Sequence, residues 1–168
     1  MDYKIFNKPN NSLILLELGR YFQSLIKLYE IDKFPKVLML TGTKGIGKST
    51  LINHFLNYIY DKNSYDLKNN TINKSSIFNK HYLNNTLENI IYLSGDDFRN
   101  IKIENISDLK SLLLKTTISN KERFIILDDV EVFNANSLNA LLKIIEEPTI
   151  NNYFILINNK NKPLIDTI

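Results

Sequence analysis

Eight consecutive residues, Gly42-Thr43-Lys44-Gly45-Ile46-Gly47-Lys48-Ser49, place three glycines, a terminal lysine and a hydroxyl directly after an apolar run, Val37–Leu40. They fit the pattern G-x-x-x-x-G-K-[ST]. A polyphosphate is large and highly charged, so holding it requires several backbone N–H groups to turn inward together. Residues without a side chain in the way, and tolerant of unusual φ, favour that turn. The loop then opens a helix, whose N-terminus carries partial positive charge. Lys48 can reach the β- and γ-phosphates, and the Ser49 hydroxyl can ligate Mg²⁺. Gly42, Thr43, Lys44, Gly45, Ile46, Gly47, Lys48, Ser49 and Thr50 are therefore the candidate nucleotide-binding residues, with ATP and Mg²⁺ as the expected cofactors. The alternative for the same residues is a plain glycine-rich turn between strand and helix.

A second acidic feature lies downstream. The run Arg123–Phe133, RFIILDDVEVF, is an apolar strand that ends in Asp128. An acid at the C-terminal end of a strand beside a phosphate loop is placed to hold hydrated Mg²⁺, and Asp128 is the candidate. Asp129 follows directly. It reads equally as a general base that orients an attacking water and as an acid at a turn or helix start.

These residues need a scaffold. The chain has 168 residues, 43% of them hydrophobic, which is enough for one packed α/β domain. Strand candidates at Val37–Leu40, Asn89–Leu93, Phe124–Leu127 and Tyr153–Ile157 alternate with helix candidates. The helices are a stretch carrying Leu15, Leu18, Phe22, Leu25 and Tyr29, then Lys48–Tyr60, Asp108–Thr116 and Asn134–Glu147, the last stopped by Pro148. Alternation of this kind predicts a parallel sheet with helices on both faces, which together with the Gly42–Ser49 motif gives the P-loop NTPase architecture. Asp61–Asn89, rich in Asn, Lys, Ser and Tyr without a clear period, reads as a surface excursion or partly disordered insertion.

Composition narrows the classes. Without cysteine there is no disulfide frame, no cysteine-ligated zinc and no thiol nucleophile. No apolar run approaches the ~20 residues that span a bilayer, and no signal-peptide plan opens the chain, so a cytoplasmic protein without membrane contact is expected. The net charge of +3 neither requires nor excludes nucleic acid. Guanine-reading N-K-x-D is absent, because lysine follows in Asn159-Lys160-Asn161-Lys162, and no arginine-rich lid of a small-molecule kinase is visible. His54 and His81 read as surface or packing residues.

The string Asn136–Ile168 closely resembles the bacterial clamp-loader subunits of DNA polymerase III, members of the AAA+ class. Asn139-Ala140-Leu141-Leu142-Lys143 and Glu146-Glu147-Pro148 match their signature N-A-L-L-K-x-x-E-E-P letter by letter. The upstream run Ile101–Asn134 looks like the delta-prime type. The resemblance covers Leu13–Ile168 and is weakest across Asp61–Asn89. It implies an AAA+ nucleotide-binding domain over residues 1–168, incomplete at its C-terminus, with 61–89 a variable insertion and the lid and collar domains absent. It also implies Asp128 as the Mg²⁺ acid and Asn159 as the sensor of the γ-phosphate. Gamma/tau- and delta-type subunits are the implied partners, with the sliding clamp and primed DNA met through the complex. Asp129 stands where the family has glutamate, so weak or absent ATP hydrolysis is expected of the chain itself, and no nucleotidyl transfer. A self-contained P-loop ATPase or small-molecule kinase is the competing reading.

Overall fold

Four apolar segments rich in Ile, Leu and Phe build one sheet. β-branched and aromatic side chains suit a pleated, buried surface. In the computed structural model these strands are β1 (Val37–Thr41), β4 (Ile90–Ser94), β5 (Arg123–Asp128) and β6 (Asn152–Asn158), all parallel, in the order β1-β6-β5-β4. The structure describes residues 12–84, 86–95, 113, 122–146 and 151–159. The helix expected at Asp108–Thr116 lies outside the described residues, apart from Leu113.

The chain divides into two compact units. The first holds the sheet and the helix α4 (Ala135–Glu146). Asn134 starts that helix, its Oδ1 accepting the Ser137 N–H at 2.8 Å, a side-chain N-cap. Leu138, Leu141 and Ile145 recur at helical spacing and pack on Ile125, Leu127, Phe154 and Leu156. The strand register explains the match. Ile125 pairs with Phe154 and Leu127 with Leu156, so one face of the sheet presents all four to α4. Each fully buried side chain of this size contributes about 1.5–3 kcal/mol. The opposite face carries Tyr92, paired with Ile126, and Ser94, paired with Asp128.

The second unit holds α1 (Gly19–Glu30), α2 (Lys48–Tyr60), a 3₁₀ turn (Lys62–Ser64), the hairpin β2 (Tyr65–Asp66) and β3 (Thr71–Ile72), and α3 (Ile77–Leu83). Phe22, His54, Tyr58 and Tyr65 meet edge-on or tilted at ring separations of 5.2–6.4 Å. Phe34 stacks on Phe55 at 5.0 Å.

Several boundaries differ from the sequence reading. The first helix begins at Gly19, after Leu15 and Leu18 of the expected period. Glu17 has φ +61°, which a right-handed helix cannot continue through, and residues 13–15 instead bond the hairpin strand β3. The supposed excursion at 61–89 contains the 3₁₀ turn, the hairpin and α3, with Tyr65, Ile72 and Phe78 buried. Elements of two to seven residues are too short to show a period, so their order comes from buried aromatics.

Candidate nucleotide site

Each half of the phosphate loop is held by its own unit. In the sheet unit, Gly42 donates its N–H to the Asn158 carbonyl at 3.1 Å and so extends the β1–β6 ladder into the loop. Thr43 and Lys44 follow, both exposed. In the helical unit, Gly45 and Gly47 have φ of +87° and +95°, a region that side-chain-bearing residues rarely adopt. Gly47 is the N-cap of α2, and its carbonyl accepts the Leu51 N–H at 2.8 Å. A Cβ at Gly47 would stand 2.9 Å from Leu18 Cδ1, so space and backbone both require glycine. Ile46 is exposed. Lys48, the first residue of α2, is buried, and Ser49 and Thr50 follow in the first turn, half-buried.

The acidic residues stand at the C-terminal end of β5, and Asn159 directly follows the end of the adjacent β6. Asp128 closes β5 and is half-buried. Its carboxylate accepts from the Tyr92 hydroxyl, from the Asp129 N–H at 2.9 Å and from Asn159 Nδ2 at 3.5 Å. Asp129 is in the left-handed conformation at φ +55° and caps a 3₁₀ turn, Val130–Val132. Asn159 Nδ2 also donates to Asp129 Oδ1. The tight turn is built against Gly95, where a Cβ would come within 2.7 Å of the Asp129 carbonyl oxygen and 2.1 Å of Val132 Cγ2.

The sheet unit therefore brings together Asp128, Asp129, Asn159 and Lys44, four residues singled out by sequence. Lys44 Nζ lies 3.3 Å from both carboxylate oxygens of Asp129. Lys48, Ser49 and Thr50 belong to the helical unit.

Two residues of the cluster escaped sequence reasoning. Tyr92 sits in an apolar strand and looks like core. Its hydroxyl is the signal, since a buried Tyr O–H needs a partner. Glu131 looks like an exposed turn acid, yet it is buried and its Oε2 accepts the Asn159 backbone N–H at 3.1 Å. Its Oε1 has no hydrogen-bond partner among the described residues.

The donors fit magnesium. A carboxylate and a hydroxyl are hard oxygen ligands, and Mg²⁺ is usually held by one or two carboxylates together with phosphate and water. Among the described residues no cluster of three or more His, Asp or Glu forms a protein-only metal cage.

The family model described as DNA polymerase III, delta subunit, matches residues 18–168 of the chain. The chain belongs to that family. Within it, the chain is of the delta-prime type. DNA polymerase III subunit delta' of Buchnera aphidicola (subspecies Baizongia pistaciae) is 24% identical over 162 residues, covering 90% of this chain and 46% of that protein. The Pseudomonas aeruginosa subunit delta' is 31% identical over 68 residues, 40% of this chain and 21% of that protein. The delta-prime-type chain thus spans less than half the length of the curated relatives it matches. A DNA polymerase III gamma subunit-related protein of Thermotoga maritima superimposes with a TM-score of 0.51 at 17% identity, over 81% of this chain and 39% of that one. The fold of the delta-prime-type chain is the α/β P-loop NTPase fold of AAA+ type expected from its motifs. No helix among its described residues is long and apolar enough to cross a membrane.

Proposed function

We propose that the chain binds Mg²⁺-ATP and acts, in the cytoplasm, within a clamp loader that places the sliding clamp on primed DNA. Gamma/tau- and delta-type subunits are its partners. Lys48 and the backbone of Gly42–Thr50 hold the phosphates, while Ser49 and Asp128 take the Mg²⁺. The ion, when bound, neutralises charge on the phosphate oxygens. Asn159 meets the γ-phosphate, and Asp129 orients water poorly, so hydrolysis by the chain alone is slow or absent.

The observation that carries this reading is the hydrogen-bonded set Asp128, Asp129 and Asn159 at the carboxyl ends of adjacent parallel strands, with Lys44 of the phosphate loop on Asp129. Carboxyl ends of parallel strands are where α/β sheets bind ligands. The family adds support, since this chain carries the loop and the acids together.

Calorimetry tests the proposal. Charge-assisted contacts to phosphate are worth about 1.5–3 kcal/mol, so Lys48→Ala should weaken Mg²⁺-ATP binding at least about tenfold. Equal affinity for wild type and Lys48→Ala refutes it.

A further inference from the structure

We infer that Tyr92 is a positioning residue for the magnesium acid, holding the Asp128 carboxylate in the orientation that meets the ion. The inference rests on the reading of Asp128 given above and extends it to a residue on a different strand.

Register makes the contact. Tyr92 pairs with Ile126 across the parallel β4–β5 ladder, so Asp128, two residues further along β5, is its diagonal neighbour on the same face. A diagonal neighbour is within reach of an aromatic side chain. Tyr92 is buried and its hydroxyl donates to Asp128 Oδ2. The Asp129 N–H and Asn159 Nδ2 both go to the other oxygen, Oδ1. Oδ1 is thus addressed from the turn and from β6, and Oδ2 from β4 through the phenol. A carboxylate held at both oxygens from separate elements cannot swing about its Cβ–Cγ bond without breaking one of these part-buried hydrogen bonds. Donors behind a ligating carboxylate set its orientation, and their loss typically costs 10–100-fold in metal affinity.

Phenylalanine keeps the ring and removes only the donor. The whole chain, as wild type and as Tyr92→Phe, is saturated with ATP in EDTA-treated buffer, and Mg²⁺ is then titrated in by calorimetry. The Mg²⁺ midpoint should rise about 10–100-fold in Tyr92→Phe, while ATP affinity measured in EDTA stays within twofold of wild type. A thermal scan of each protein accompanies the titrations. An unchanged Mg²⁺ midpoint overturns the inference. So does a parallel loss of ATP affinity with and without Mg²⁺, or a collapsed thermal transition, because either marks Tyr92 as a packing residue only. Asp128→Asn separates the two levels of the argument. If it leaves the Mg²⁺ midpoint unchanged, the magnesium role of Asp128 itself is wrong. If it raises the midpoint and Tyr92→Phe does not, only the positioning role falls.

Discussion

The ammonium group of Lys44 lies 3.3 Å from both carboxylate oxygens of Asp129, a residue 85 positions away in sequence. The lysine side chain is 65% exposed and the aspartate 17%. One end of the phosphate loop is thereby joined to the acidic turn after β5. The pair is open to solvent on the lysine side, so its contribution to stability is small, about 0.2–1 kcal/mol. Its interest is chemical. The Asp129 carboxylate, proposed above to orient water, is shared between a lysine and the Asn159 amide.

Asp129→Glu tests what that sharing costs. The extra methylene moves the carboxylate by about 1.5 Å, and misplacements near 1 Å can cost ~10²-fold in rate. In an assembly with the proposed gamma/tau- and delta-type subunits, Asp129→Glu should raise phosphate release by up to about 10²-fold. ATP affinity should change little, because phosphate and Mg²⁺ are assigned to Lys48, Ser49 and Asp128. If the rate is unchanged while Asp128→Ala abolishes it, Asp129 is only a turn residue.

Gly95→Ala is the stability test of the acidic turn. The added methyl would meet Val132 Cγ2 at 2.1 Å and the Asp129 carbonyl oxygen at 2.7 Å, and backbone cannot rotate away as a side-chain tip can. Overpacking of this kind costs about 1–3 kcal/mol. Urea denaturation should show an unfolding free energy lower by that amount, read as a lower midpoint at unchanged slope. A wild-type midpoint would mean that the turn yields without cost.

His54 makes the helical unit acid-sensitive. The side chain is fully buried, with Nε2 2.9 Å from the Ser12 carbonyl and Nδ1 2.7 Å from the Tyr65 hydroxyl. A carbonyl only accepts, so Nε2 carries the proton and Nδ1 accepts from Tyr65. Burial holds the imidazole pKa below its ordinary 6.5, against the opposing bond to Ser12. The unfolded chain therefore takes up a proton on this side chain before the folded chain does. The neutral form's full contribution is present above pH 6.5 and is lost as pH falls from there through the lower folded pKa. Thermal midpoints measured from pH 8 to pH 5 should fall more steeply for wild type than for His54→Gln. Parallel profiles would remove His54 as the cause.

Local chemistry is what the sequence determined by itself. The phosphate loop is contiguous, its two positive-φ positions are glycines, and the helix it opens runs over Lys48–Tyr60 as the periodicity predicts. The four strands of the sheet are apolar runs whose centres are legible from composition, and β4, β5 and β6 are buried along most of their length, whereas β1 alternates between exposed and half-buried residues. The string around Asn139–Lys143 named the family. Tertiary structure alone decided which groups surround the acids. Tyr92, Asn159 and Lys44 reach Asp128 or Asp129, and Glu131 reaches the Asn159 backbone, because β5 lies between β4 and β6, and because β6 lies between β5 and β1. Periodicity says that a segment is a strand and says nothing of its neighbours. Tyr92 and Glu131 were hidden for that reason, one inside an apolar run and one in a turn. His54 was ambiguous in the same way, since its burial depends on Ser12 and Tyr65 arriving from either side of α2. A side chain's partner across strands or helices is a property of packing order, which no window of neighbouring residues contains.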